Sequence, residues 1–152
     1  MACKVLFVGL DSADPDCIRT WMQEGKLPNL ARIKRKGAWG SPEGPKGLGS
    51  GALWPSLCTG VTPAIHGRYF FQQVGRGSYR SVKFESDDLH FPMFWDALSR
   101  SGRRIAVIDI PKMRLSPDLN GLQLIDWMVH DAEPHPRSVP PQLVEQVWAV
   151  YG

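Results

Sequence analysis

Two residues in the first third of the chain have the types and positions that suit metal-assisted nucleophilic chemistry. Asp11 closes the apolar run 5–10, and Ser50 lies in a stretch rich in Gly, 47–54. A carboxylate at the carboxyl end of a buried strand can bind a divalent ion, and a metal can activate a hydroxyl at the start of a helix as a nucleophile. We therefore expect Asp11 and Ser50 to be metal ligands, with Ser50 also the catalytic nucleophile. The alternatives are that Asp11 only caps the following turn and that Ser50 is only an N-cap.

The elements that must position these two residues follow from apolar periodicity and from helix start and stop signals. Residues 4–10 lack polar alternation, which is typical of a central strand that is covered on both faces. Asp14 and Pro15 predict an N-cap and the first position of a helix. Further helices are expected from Pro28 to Gly37 and over 52–58, with a long surface loop before the latter, from Ser41 to Gly51.

The rest of the chain alternates between predicted strands and helices. Residues 68–84 are expected to be irregular with short strands. Helices are predicted over 92–101 and from Pro141 onward, and strands over 104–110 and 122–125. This alternation predicts an α/β fold with a largely parallel sheet flanked by helices.

Composition indicates a globular protein and argues against several classes of partner. The 152 residues suit one domain, and 43% hydrophobic residues with a net charge of +3 are ordinary values. The basic residues within 32–36 fall at a predicted helix end, so we expect no nucleic-acid partner. Cys3, Cys17 and Cys58 have no zinc-binding spacing and are interpreted as buried thiols. No targeting segment and no run of about 20 apolar residues is evident, so we expect no membrane association and a cytoplasmic location.

Four segments, in this order and spacing, resemble one enzyme family. They are Val8-Gly9-Leu10-Asp11, Gly25-Lys26-Leu27-Pro28-Asn29-Leu30, the stretch 50–60 with Trp54, and Thr62-Pro63-Ala64-Ile65-His66-Gly67. Together they look like the type I phosphodiesterase and nucleotide pyrophosphatase family of the alkaline phosphatase superfamily. The resemblance is densest over residues 4–70. The sulfatase signature Cys-x-Pro-x-Arg is missing, so a sulfatase or phosphoglycerate mutase relative is disfavoured.

The resemblance implies a chemistry and a set of cofactors. It implies two divalent metal ions, typically zinc, although manganese or iron would accept such ligands. Asp11 matches the family's first metal-binding aspartate, and Ser50 matches the nucleophile that forms a covalent phosphoserine. The substrate would be a phosphorylated small molecule or a nucleotide-like ester.

Some positions depart from the family pattern. Phe71 stands where nucleotide pyrophosphatases have an asparagine, 21 residues after the nucleophile, which leaves nucleotide specificity open. Asp126 and His130 have the Asp-x-x-x-His spacing of a metal motif that lies later in the family, so they are weak candidate ligands, together with Asp131. His66 is expected to hold a turn through a local hydrogen bond rather than to bind metal.

The chain offers too few ligands for two metal ions, because it has four histidines and no Asp-His-Gly sequence. We therefore interpret residues 1–152 as the N-terminal part of an alkaline phosphatase-like catalytic domain, without the C-terminal half. Residues 112–140 are interpreted as the start of a cap region or as a loop.

The predicted function is metal-dependent hydrolysis of phosphate diesters or monoesters, with this chain supplying the nucleophile half of the site. The alternative is a non-catalytic α/β fragment or a module that binds a phosphoryl ligand or a partner.

Overall fold

The computed structural model describes residues 4–75, 77–127 and 136–151, in two compact units, Met1–Glu43 and Gly44–Gly152. Helices and strands alternate irregularly along the chain. The helices are α1 (Pro15–Gln23), α2 (Pro28–Lys36), α3 (Ser50–Thr59), α4 (Pro63–His66), α5 (Phe94–Arg100) and α6 (Gln142–Tyr151), with a short 3-10 helix at Ser86–Asp88. The strands are β1 (Gln72–Val74), β2 (Ser81–Lys83), β3 (Ile105–Ile108), β4 (Gly121–Ile125) and β5 (Arg137–Val139).

The first unit contains α1 and α2, which begin where the sequence predicts. The Asp14 carboxylate accepts hydrogen bonds from the N–H groups of Asp16 and Cys17, at 2.9 and 2.8 Å, as an N-cap should. Gly37 follows the last residue of α2 and donates its N–H to the carbonyl of Ile33, at 2.9 Å. Capping residues and proline therefore set both helices from local sequence alone.

The predicted strand over residues 4–10 is wrong for this structure. These residues form no strand, and the side chains of Val5 and Leu6 are 85% and 87% exposed. Backbone hydrogen bonds to neighbouring strands stabilise β structure, so an apolar sequence forms a central strand only where other strands are available to pair with it.

The second unit contains two small sheets. In the larger, β4 lies in the middle, parallel to β3 and antiparallel to β5. In the smaller, β1 and β2 pair antiparallel. The mixed helix and strand content agrees with an α/β class, but parallel pairing among the described residues is limited to β3 and β4. The largely parallel, alkaline phosphatase-like sheet is therefore not confirmed.

The core of the second unit lies between α3, α5 and the larger sheet. Trp95 is fully buried, and the other buried members of its cluster are Cys58, Leu89, Met93, Val107, Met113 and Leu119. Burial raises the pKa of the Cys58 thiol to about 12. Cys17 is exposed on α1, so its interpretation as a buried thiol is wrong, and Cys3 lies outside the described residues.

A buried amide joins β4 to the loop that precedes it. The Gln123 side chain is fully buried, and its oxygen accepts from the N–H of Ser116 at 2.7 Å. Its amide nitrogen donates to the carbonyl of Arg114 at 2.9 Å. The Ser116 hydroxyl in turn donates to Asp96 and accepts from the indole N–H of Trp95. The amide therefore satisfies two backbone groups that water cannot reach.

We expect Gln123→Met to lower the free energy of unfolding by about 2–6 kcal/mol, because it leaves two buried backbone groups without partners at about 1–3 kcal/mol each. Urea unfolding monitored by circular dichroism measures the change. Gln146→Met, at an exposed position of α6, is the matched control and should change stability by less than about 0.5 kcal/mol. Equal effects of the two substitutions would contradict the structural role of the buried amide.

Candidate active site

Ser50 is the first residue of α3. The preceding residue, Gly49, is extended and caps the helix, and its carbonyl accepts from the N–H of Ala52 at 3.0 Å. The stretch 40–49 contains no helix or strand, so the helix begins directly after an irregular loop. The N–H groups and the dipole of a helix N-terminus favour negative charge, which suits an oxygen that becomes an alkoxide.

A hydrogen-bond chain ties the middle of α3 to the turn that follows α4. The N–H of Arg68 donates to Nδ1 of the buried His66 at 3.0 Å. In a neutral imidazole the proton then lies on Nε2, which contacts the Ser56 hydroxyl at 3.0 Å. That hydroxyl donates to the carbonyl of Ala52 at 2.7 Å. The expected local hydrogen bond of His66 is thus present.

This tautomer decides what the Ser56–His66 pair can do. A histidine activates a serine by accepting its hydroxyl proton, which requires an unprotonated nitrogen facing the serine. Here Nδ1 is the accepting nitrogen and it faces the N–H of Arg68, while Nε2 donates to Ser56. The pair is therefore a structural link and not a nucleophile with its base.

Asp11 and Ser50 lie in different units of the structure. Asp11 is exposed in a turn before α1, where the next residue, Ser12, has a φ of 54°. Ser50 belongs to the second unit. Their roles as metal ligands, and that of Ser50 as nucleophile, remain predictions from the sequence.

The carboxyl ends of the parallel pair carry two further carboxylates. Asp109 directly follows β3 and Asp126 directly follows β4, and both have left-handed backbones, with φ of 51° and 59°. The Asp109 carboxylate accepts from the N–H of Trp127 at 3.0 Å. Sequence reasoning missed Asp109, although an aspartate at the end of an apolar run is the same signal that singled out Asp11.

An arginine bridges two carboxylates at this end of the sheet. Nη1 of Arg137 lies 2.7 Å from the Asp87 carboxylate, and its Nη2 lies 3.4 Å from that of Asp126. Burial raises the pKa of Asp126, and Arg137 opposes that rise. Asp126 thus has an ion-pair partner, and its backbone forms a bend directly after β4. His130 and Asp131 lie outside the described residues.

The loop that follows α4 is fixed from inside by a buried glutamine, which sequence reasoning also missed. The side-chain oxygen of Gln73 accepts from the N–H groups of Tyr69 and Phe70, at 2.9 and 3.3 Å, and its amide nitrogen donates to the carbonyl of Gly67 at 2.9 Å. The carbonyl of Phe71 accepts from the N–H of Phe84 at 3.3 Å. The backbone of residues 67–71 is therefore held in one conformation.

A buried guanidinium supports the same loop. Arg68 donates to the carbonyl of Glu85 at 2.6 Å and lies 4.9 Å from the centre of the Phe84 ring. Burial lowers the pKa of Arg68, and Asp88 opposes that effect. Since its charge is buried and bound within the fold, Arg68 acts as a structural cation here.

The family comparison covers almost the entire chain. The model of the family described as type I phosphodiesterase / nucleotide pyrophosphatase matches residues 5–150. The chain belongs to this family. Its members are phosphodiesterase- and pyrophosphatase-type hydrolases that act on phosphorylated, nucleotide-like substrates. No curated protein and no solved structure matches the chain.

Two other properties of the described residues bear on this family member. No helix among them is long and apolar enough to cross a membrane. A cavity of about 300 Å³ beside α6 is lined by Pro136, Val144, Glu145 and Trp148, and its described lining contains none of the predicted site residues.

The state of His66 gives a pH dependence. Burial, followed by the charge of Arg68, lowers the pKa of His66 below its ordinary value near 6.5. As the pH falls below about 6.5, the unfolded chain binds a proton that the folded chain resists, so this contribution to stability is complete above that pH and is lost as the pH falls towards the folded pKa. We expect the stability difference between the wild type and His66→Gln to shrink from pH 7.5 to pH 5, roughly the window below the ordinary value.

Urea unfolding at a series of pH values measures this difference. His90→Gln, at an exposed histidine, is the matched control for loss of an imidazole. A wild-type advantage over His66→Gln that stays constant across the range would show that His66 is not held neutral by the fold.

Proposed function

We propose that this family member hydrolyses phosphate diesters or monoesters through a covalent phosphoserine at Ser50. The observation that carries the proposal is the position of Ser50 as the first residue of α3, within a family match that spans 5–150. The hydroxyl oxygen attacks phosphorus, and the bond from phosphorus to the leaving alcohol breaks. The hydroxyl proton passes to that alcohol, and water then releases the phosphate from Ser50.

The fold supports this role for Ser50 over the other serine of α3. Ser56 lies within the helix, and its hydroxyl is bound to the carbonyl of Ala52 and to His66. Ser50 lies in the first turn, where the helix dipole stabilises a developing alkoxide or a transferring phosphoryl group. We therefore assign the nucleophile role to Ser50, at the start of α3, and a structural role to Ser56, within the helix.

We expect Ser50→Ala in the full-length protein to lower the hydrolysis of a p-nitrophenyl phosphate diester by at least about 1,000-fold, since loss of a covalent nucleophile removes the main reaction path. Mass spectrometry of wild-type protein quenched during turnover should show one added phosphoryl group on the peptide that contains Ser50. Ser56→Ala is the matched control on the same helix, and its activity per folded molecule should fall far less. Full activity of Ser50→Ala would disprove the proposed nucleophile.

The metal ions remain a proposal that rests on the resemblance. Among the described residues, no group of three or more His, Cys, Asp or Glu side chains could hold a metal ion. The described residues alone thus do not fit a complete two-metal centre. We propose that Asp11 contributes one carboxylate to a zinc site, and that a C-terminal part of the catalytic domain contributes the remaining ligands. A larger, alkaline phosphatase-like parallel sheet belongs to the same proposal.

We expect Asp11→Asn to weaken zinc binding by about 10-fold or more, because an amide is a much poorer ligand for a divalent ion than a carboxylate. Equilibrium dialysis of the full-length protein against buffered zinc measures the affinity. Asp16→Asn, at an exposed aspartate of α1, is the matched control and should leave the affinity unchanged. Identical zinc affinity in the wild type and Asp11→Asn would remove Asp11 from the site.

A binding role without catalysis is the competing proposal. In that case the full-length protein would bind phosphate esters with equal affinity in the wild type and in Ser50→Ala, and neither would release the alcohol. The ion pair between Asp126 and Arg137 favours the binding role, because it gives a structural role to a carboxylate that was a candidate metal ligand.

A further inference from the structure

The backbone of Phe70 and Phe71 passes directly beside the start of α3. A Cβ atom added to Gly51 would lie 3.0 Å from the carbonyl carbon of Phe70 and 3.1 Å from the nitrogen of Phe71. Such distances are tighter than nine in ten of the contacts that Cβ atoms make, so glycine at this position permits the close approach. The residue that follows Ser50 therefore touches the backbone of the Phe70–Phe71 pair.

The two aromatic side chains are not part of the core. Phe70 and Phe71 are 49% and 43% exposed, and their ring centres lie 4.6 Å apart with the ring planes tilted by 42°. The backbone that carries them is fixed by Gln73, as described above, so the rings are presented on a rigid loop. Two neighbouring half-exposed phenylalanines on a rigid loop leave apolar surface available for a ligand.

We propose that the Phe70–Phe71 pair is the contact surface for the ester group of the substrate, and that this group carries a flat apolar ring. This proposal rests on the proposed function, because the contact with Gly51 ties the pair to the substrate only if phosphorus is attacked at Ser50. A ring on the ester group would pack against one or both phenyl rings, which adds aromatic contacts to the burial of apolar surface. The ring could be an aryl group or a nucleobase, since both present a flat face.

Binding of three phosphate monoesters to the full-length protein tests the proposal. Phenyl phosphate carries a ring, methyl phosphate has the same charge without one, and adenosine monophosphate carries a base. Isothermal titration calorimetry should give phenyl phosphate an affinity about 3- to 10-fold higher than methyl phosphate, the range expected for aromatic contacts. The affinity of adenosine monophosphate relative to phenyl phosphate then identifies which ring source the surface prefers.

The decisive variant is Phe70→Leu/Phe71→Leu, which keeps apolar bulk and removes both rings. It should bring the affinity ratio of phenyl to methyl phosphate close to one and leave methyl phosphate binding unchanged. Tyr79→Leu is the matched control, since Tyr79 is a fully exposed aromatic residue in the β1–β2 connection, and its ratio should equal that of the wild type. Circular dichroism confirms that each variant is folded.

The outcomes separate this proposal from the proposed nucleophile. A wild-type ratio near one, an unchanged ratio in the double leucine variant, or no binding of any of the three esters would overturn the ring contact. The ratio should persist in Ser50→Ala, because that variant lacks only the hydroxyl. If the affinity ratio is preserved but the wild type forms no phosphoserine, the proposed nucleophile is disproved and the aromatic contact is still supported.

Discussion

The hydrogen bonds of His66 fix the part of the molecule on which the proposed site depends. One ring nitrogen accepts from the backbone of Arg68, and the other contacts the Ser56 hydroxyl on α3. The imidazole thus joins the proposed nucleophile's helix to the loop that carries the aromatic pair. Because both ring nitrogens of His66 are hydrogen-bonded, the rigid imidazole ring sets the distance between α3 and the loop.

A proline inside α3 weakens the backbone hydrogen bonding of this helix. Pro55 is fully buried and cannot donate to the carbonyl of Gly51, so the helix lacks one of its internal bonds near its first turn. The side chains of Ser56 and Thr59 both bond back to carbonyls four residues earlier. The helix is therefore held by packing and by side-chain hydrogen bonds as much as by its backbone, which agrees with its buried Ala52 and Cys58.

The sequence predicts those elements whose signals are local. The N-cap Asp14, the glycine after α2 and the apolar runs of β3 and β4 each mark an element that the structure confirms. The prediction of a strand over residues 4–10 is wrong because the conformation of this segment depends on neighbouring strands that its own residues do not specify. β5 was missed for the related reason that its three residues, Arg137–Val139, carry no apolar periodicity and pair only through β4.

The candidate site divides in the same way. Ser50 at a helix start and the turn bond of His66 follow from spacing and residue type, and the structure shows the helix and the bond. The place of the Phe70–Phe71 pair beside α3 could not be predicted, because it arises from a backbone approach between residues about 20 positions apart in sequence. The hydrogen bonds of Gln73 are local, but they depend on the irregular backbone of the loop, which no residue pattern specifies. Asp109 was within reach of sequence reasoning, since it ends an apolar run as Asp11 does.

The burial of Cys58 has a consequence for the chemistry of the folded chain. A thiol reacts with oxidants and electrophiles as its thiolate, and a pKa of about 12 leaves almost none of that form at neutral pH. The charge of Asp14 raises the pKa of the Cys17 thiol as well, but Cys17 is open to solvent. An oxidant can therefore reach the Cys17 thiol in the folded chain, whereas the Cys58 thiol, on the proposed nucleophile's own helix, is shielded for as long as the core remains closed.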